Sequence, residues 1–245
     1  MEQEIFRQMR EVEDHHWWFA ARRNILKHVL SSLEIPSRAR ILDVGCGTGG
    51  NLKLLSEFGE VIGAEHEARA VAVAQARQAG QVVKGSLPEA MPFAAEQFDL
   101  IVLLDVLEHI EDDSASLNAL DRLLALGGHL VITVPAFMFL WSRHDIAHHH
   151  QRRYTARELR ERVQQARFEI EHVTYFNSLL FPAIAMVRML ERMLPSRTTG
   201  MDLTLPNKIV NMVLQAILSS ERHFVTWAAV PFGVSLLAIA RKRSR

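Results

Sequence analysis

Ile41-Leu42-Asp43-Val44-Gly45-Cys46-Gly47-Thr48-Gly49-Gly50 runs from a short apolar segment directly into a cluster of glycines. The next stretch, Asn51 to Phe58, carries Leu52, Leu54, Leu55 and Phe58 and reads as a helix. Glycines let a chain turn sharply and let its backbone approach a ligand closely. The start of the helix beyond them offers unpaired N–H groups and a positive dipole end, which favours an anion. This strand–turn–helix unit decides the fold, because its neighbours repeat the alternation. Glu60–Ala64, Gln81–Lys84, Phe98–Leu104 and His129–Val134 read as strands. Ala68–Gln78 and Ser114–Ala125 read as helices, the second ended by Gly127-Gly128. The run Leu100-Ile101-Val102-Leu103-Leu104 is apolar without alternation, as a strand covered on both faces requires. Strands alternating with helices imply βαβ units and a parallel sheet with right-handed crossovers.

The flanks are different. Residues 1–35 read as helix, with Ile5, Met9 and Val12 on one face and Ile25, Val29 and Leu30 on a later stretch, stopped at Pro36-Ser37. Thr155-Ala-Arg-Glu158 is a capping box that opens a helix to Ala166, and Glu169–Tyr175 alternates like a strand. Two apolar helical stretches follow, Leu179–Leu194 and Lys208–Leu218, separated by a polar break at Ser196–Asp202. Gly233–Ala240 closes the chain as a strand.

The 245 residues suit one domain, or one domain with a large insertion. Twenty-eight basic residues balance twenty-eight acidic ones, so no nucleic-acid partner is expected. One cysteine, Cys46, can form neither an internal disulfide nor a zinc cluster. With no secretory signal in view, a cytoplasmic protein is expected, with peripheral membrane contact left open. Phe224 to Ala240 lacks charge, but Pro231 and Gly233 interrupt it, which favours a buried strand over a membrane span.

The spacing Gly45, Gly47, Gly50 also fits the dinucleotide pattern G-x-G-x-x-G, so an NAD-dependent oxidoreductase is one alternative. Asp43 separates the options, since a carboxylate there would repel a pyrophosphate and suit the cationic S-adenosylmethionine. Glu65, ending the second strand, can accept both ribose hydroxyls of either cofactor.

Asp43-Val-Gly-Cys-Gly-Thr-Gly49, Glu65, Phe98-Asp-Leu-Ile-Val-Leu-Leu-Asp-Val-Leu-Glu-His109 and Leu126-Gly-Gly-His-Leu-Val-Ile-Thr-Val134 together resemble the class I S-adenosylmethionine-dependent methyltransferases over residues 38–136. Asp105-Val-Leu-Glu-His109 is similar to the small-molecule members, including the ubiquinone-type O-methyltransferases. The resemblance implies an α/β, Rossmann-like, doubly wound seven-stranded sheet with an antiparallel last strand. An N-terminal helical cap (1–37) and a helical insertion or lid (176–232) then flank a core of 38–175 and 233–245. It implies S-adenosylmethionine as cofactor, held by Asp43, Gly45, Cys46, Gly47, Glu65, His66, Ser86, Leu87, Leu104 and Asp105. The usual acid after the third strand is replaced by Gly85-Ser86, which moves adenine contacts to Ser86 and Leu87.

His15-His-Trp-Trp-Phe19 with Arg22-Arg23 reads either as core packing or as a cap over the cofactor, in which Trp18 and Arg22 contribute and an arginine pairs the methionine carboxylate. The segment Trp141 to Tyr154 follows the fifth strand and is placed at the ligand crevice by topology. Its His144, with Asp145 adjacent, is a candidate base, and His109 is another, each set against a plain structural role. Trp141, His148, Arg152, Arg153 and Tyr154 are candidate contacts to an anionic acceptor. A metal on His144, Asp145 and His148 is weighed and set aside, for want of a completing ligand. The acceptor expected is a small or lipid-like molecule methylated on O or N. The methionine-rich insertion allows a greasy acceptor, a homodimer interface or membrane contact. A protein that holds the cofactor without turning it over is the further alternative.

Overall fold

The computed structural model describes residues 9–193 and 205–243. The first eight residues of the expected helical cap, and the polar break at Ser196–Asp202, lie outside them.

A seven-stranded sheet forms the centre, in the order β3-β2-β1-β4-β5-β7-β6. The strands are β1 (Ala39–Val44), β2 (Gly59–Glu65), β3 (Gln81–Lys84), β4 (Phe98–Leu104), β5 (Leu124–Pro135), β6 (Phe168–Phe176) and β7 (Ser235–Lys242). The first five run parallel, and β7 is antiparallel to both β5 and β6. The helices are α1 (Trp17–Ser31), α2 (Leu52–Leu55), α3 (Ala68–Ala76), α4 (Asp113–Leu123), α5 (Arg143–Ala147), α6 (Ala156–Gln165), α7 (Phe181–Met193) and α8 (Lys208–Ser220). One apolar layer packs Leu117, Leu120, Leu159 and Val163 of α4 and α6 on one face of the sheet. The other packs Ile25, Val29 and Leu30 of α1 with Leu52 and Leu218 on the opposite face. The continuously apolar β4 serves both, with Ile101 and Leu103 in one layer and Leu100 and Val102 in the other.

Several boundaries differ from the sequence reading, each for a tertiary reason. The leading helix is not continuous to residue 35: it breaks at residues 13–16 and restarts at Trp17, capped by His16 Nδ1 accepting from Trp18 N at 3.3 Å. The break turns Glu13 inward, where its carboxylate accepts from Thr48 Oγ1 at 2.6 Å and pairs with Arg77. The helix expected over 51–58 is only Leu52–Leu55. The chain must turn early, because Gly59 passes against the Ala39 carbonyl where a Cβ has no room. Gly127-Gly128 lies within β5 rather than ending α4. The last carbonyls of α4 are taken by Glu96 N at 2.8 Å and Gln97 N at 2.9 Å, so the chain enters the sheet directly at Leu124.

β1 lies between β2 and β4, where the strand order reverses. In open α/β sheets that switch point, at the carboxyl ends of the strands, holds the ligand crevice. The glycine turn follows β1 directly. Over it lies α1, tied to α8 through Trp17 N and Asn211 Oδ1 at 2.9 Å and through Asn24 and Ser219 at 3.1 Å.

Candidate active site

A cavity of about 1160 Å³ extends from the glycine turn to the histidines after β5. Its first half is built mainly from backbone. Gly45 N donates to the Ala64 carbonyl at 2.8 Å and Cys46 N to the same oxygen at 3.2 Å, clamping the turn to β2. Gly45 has a φ of +70°, and a Cβ there would stand 2.5 Å from Val106 Cγ2. Gly47 has a φ of +54° and faces open space. Its N–H donates to Glu65 Oε2 at 2.9 Å. The other oxygen, Oε1, accepts from His66 N at 2.8 Å and Glu67 N at 3.0 Å. The His66 ring also reaches Oε1 at 2.8 Å while remaining largely exposed.

Gly45, Cys46, Gly47, Glu65, His66, Ser86, Leu87, Leu104, Asp105, Trp18 and Arg22 all line the cavity. Asp43 does not line it. Its carboxyl is buried behind the turn, with Oδ2 lacking a partner among the described residues. Burial, reinforced by Glu65, pushes it up to about 8, so the group is largely protonated at neutral pH. Glu65, by contrast, lines the wall, as do Asp105 and Glu108. Burial likewise pushes the Cys46 thiol up, which leaves it an inert wall residue.

Arg22 forms an ion pair with Asp105 and donates to Thr133 Oγ1 at 2.9 Å, with Trp18 beneath its guanidinium at 5.3 Å. Arg22 and Asp105 are thus each other's partners at the centre of the cavity.

The second half is built from side chains. The expected pairing of His144 with Asp145 is not formed. Residues adjacent in a helix point in different directions, and Asp145 turns into the protein. It accepts from Arg153 Nε at 2.7 Å and Arg153 Nη2 at 2.9 Å, from Ser142 N at 2.8 Å, and pairs with His150 Nδ1 at 2.9 Å. Burial alone would raise Asp145, but the bonds from His150 and Arg153 outweigh it and hold the carboxyl well below its ordinary range. The same network removes Asp145 from any metal set with His144 and His148.

Of the expected contacts to an anionic acceptor, His148 and Arg153 line the cavity, while the three residues Arg152, Arg153 and Tyr154 are engaged by other side chains. Arg153 is buried, with its third nitrogen on the Ala136 carbonyl at 3.0 Å. Arg152 pairs with Asp113 at 3.1 Å and the Glu111 carbonyl at 2.8 Å. Tyr154 donates to Asp113 Oδ2 at 3.0 Å. Neither Arg152, Tyr154 nor Trp141 lines the cavity. Arg152, Arg153 and Tyr154 anchor the loop between β5 and α6 to the core.

His109, His144, His148 and His150 do line the cavity. The His144 and His148 rings lie 4.2 Å apart and those of His109 and His150 4.7 Å. Burial, then the neighbouring histidines, lowers His109 to about 3 and His148 to about 4, whereas His144 is exposed. The His109 and His148 imidazoles are therefore neutral at pH 7, which suits them to ligand or hydrogen-bond roles more than to taking up a proton.

Sequence reasoning missed Glu108 and Asn177, both fully buried cavity-lining residues whose side-chain polar atoms lack partners among the described residues. Glu108 stood in the quoted Asp105–His109 run, but only packing reveals that its carboxylate is isolated. Asn177 adopts a φ of 57° just after β6, a conformation the sequence does not announce.

A methyltransferase domain family model matches residues 16–173. The chain belongs to the class I S-adenosylmethionine-dependent methyltransferases. S-adenosylmethionine is the cofactor of that family, which decides against the NAD alternative. A ubiquinone biosynthesis O-methyltransferase of Cereibacter sphaeroides is 37% identical over 97 residues, covering 38% of this chain and 39% of that protein. The chain thus matches only about two fifths of the length of such curated relatives. An S-adenosylmethionine-dependent methyltransferase from Mesorhizobium loti has the same fold, with a TM-score of 0.61, 17% identity, and coverage of 94% of this chain and 100% of that one. Phosphoethanolamine N-methyltransferase 2 of Haemonchus contortus, solved with S-adenosyl-L-methionine, gives a TM-score of 0.57 at 19% identity, covering 90% of this chain and 51% of that one.

The residues present fit the cofactor. Glu65 offers carboxylate oxygens to a ribose diol, and the weakly held His66 ring can yield its place on Oε1. The open face of Gly47 leaves room for close approach, and Leu87, Leu104 and Val106 supply an apolar wall for a base.

Proposed function

We propose that this methyltransferase transfers a methyl group to an oxygen of a small acceptor with an apolar body. The observation that carries the reading is one cavity joining Gly47 and Glu65 to the histidines of the β5–α6 loop. When bound, S-adenosylmethionine supplies a methyl group activated by its sulfonium charge. Glu65 and the glycine turn orient the nucleoside, with Ser86 and Leu87 beside the adenine. Arg22, Asp105 and Trp18 close the middle of the cavity and exclude water. Holding donor and acceptor in line supplies on the order of 7–11 kcal/mol of the barrier reduction. His144, exposed and lining the cavity, accepts the proton that a hydroxyl acceptor loses. Asn177 offers its unpartnered amide to orient that hydroxyl.

Oxygen is favoured over nitrogen by the O-methyltransferases among the relatives. An apolar acceptor is favoured because Arg152 and Arg153 are already spent on Asp113 and Asp145, while Ile184 of α7 lines the cavity. The outer face of α7 exposes Met186, Val187 and Met189, and α8 exposes Ile209, Met212 and Val213. That surface suits delivery of a lipid-like acceptor. No described helix is long and apolar enough to cross a membrane.

Calorimetry with S-adenosylmethionine tests the reading. Saturable binding that Glu65→Gln weakens supports it, and an absence of heat with the folded protein overturns it.

A further inference from the structure

We propose that Glu108, His109 and His150 form a binding site for a divalent transition cation of zinc type at the acceptor end of the cavity. Each residue offers one ligand atom, and the three atoms lie within 4.8 Å of one another. A cation bound at about 2.0–2.2 Å from nitrogen and oxygen would draw them together by a small movement of side chains.

Glu108 makes the case more than a cluster. It is 0% exposed, and neither carboxylate oxygen has a partner among the described residues. A buried carboxylate without a partner is costly, and buried charges are normally paired or coordinate metals. The His109 and His150 rings each bring a nitrogen within 4.8 Å of it, and a cation between them satisfies acid and nitrogen ligands together.

The supporting contacts are those of a metal site. His150 Nδ1 is held by Asp145 at 2.9 Å, which fixes the ring and leaves Nε2 for a ligand. Asp145 is fixed in turn by Arg153. Gln151 N donates to the Glu108 carbonyl at 2.7 Å, pinning the segment that carries His150 to the turn that carries Glu108 and His109. His148, whose buried Nε2 also lacks a partner among the described residues, has its ring centre 6.0 Å from that of His150. Two imidazoles and one carboxylate favour zinc or a similar ion over calcium or magnesium, which prefer oxygen alone. A position left open would face the cavity and hold and polarise an acceptor oxygen. That last role rests on the methyl-transfer reading, whereas the binding does not.

The full-length chain, stripped with chelator, is titrated with Zn²⁺ by calorimetry and with Co²⁺ by visible absorption. About one equivalent is expected, with a tetrahedral-type cobalt spectrum. Glu108→Gln, close in size, and His150→Ala should each weaken uptake at least tenfold, while exposed His223→Ala should not. Circular dichroism confirms that each variant is folded, and His150→Ala decides if Glu108→Gln is not. Absence of uptake, or uptake unchanged in both variants, overturns the site. S-adenosylmethionine affinity measured on the same samples separates the readings: cofactor binding without metal uptake sinks this proposal alone, and metal uptake without cofactor binding sinks only the methyl-transfer reading.

Discussion

The two ends of the cavity are built by different means. At the β1–β2 end, Glu65 is held by the N–H groups of Gly47, His66 and Glu67, so the backbone itself forms the site. At the other end, the turn at Leu107–His109, the loop after β5 and the residues after β6 each contribute side chains, and several of those polar atoms have no partner among the described residues. A backbone site is cheap to satisfy and tolerates variation around it. A side-chain site must be held by a second set of contacts, here the Asp145–Arg153–His150 network. The contrast predicts that substitutions cost stability at the acceptor end and cofactor affinity at the donor end.

The largest effect is expected at Asp145. Asp145→Asn leaves Arg153 buried without its carboxylate, and breaking a buried pair costs about 3–5 kcal/mol. Denaturant unfolding should show that loss, and a change under about 1 kcal/mol would mean that the acceptor end does not depend on this network. His144→Ala should be different in kind. It should leave unfolding nearly unchanged and slow transfer about a hundredfold, at the lower end for a general base. Unaltered turnover would remove His144 from the chemistry.

Donor-end effects should be smaller. Glu65→Gln should weaken S-adenosylmethionine about tenfold, read by calorimetry, as a neutral amide replaces a charge-assisted acceptor. Asp43→Asn should do least, changing that affinity less than about threefold, because the carboxyl is already largely protonated. Its signature lies in stability against pH. The folded-state value, about 8, is raised above the ordinary 3.8, so the unfolded chain releases this proton first. Stability from this group is full below about 4 and declines as pH rises toward 8. Asp43→Asn should flatten that decline. A tenfold loss of affinity instead would return Asp43 to the role its position in the glycine turn suggests.

Much of the donor end was legible because it is local. Gly45, Gly47 and Glu65 sit at the ends of adjacent strands, and alternation of strands and helices places those ends together. The acceptor end was legible only as a list of residue types. His144, Arg152 and Arg153 were visible as chemistry-bearing side chains, but which of them face a cavity depends on partners far away in sequence. Asp113 takes Arg152 and Tyr154, and Asp145 takes Arg153. Glu108 drew no separate reading, because nothing in Leu107-Glu108-His109 says that the carboxylate is sealed from water.

By itself, then, the sequence determined the order of strands and helices, the glycine turn and the acid at the end of β2. Hydrophobic periodicity and glycine backbone freedom act over a few residues, so those features can be read in a line. Only the tertiary structure decided which charges are spent on each other and which remain for a ligand. Burial and pairing are properties of segments brought together, and they made Asp43 a largely neutral core group, Arg153 a brace and Glu108 an isolated carboxylate beside His109 and His150.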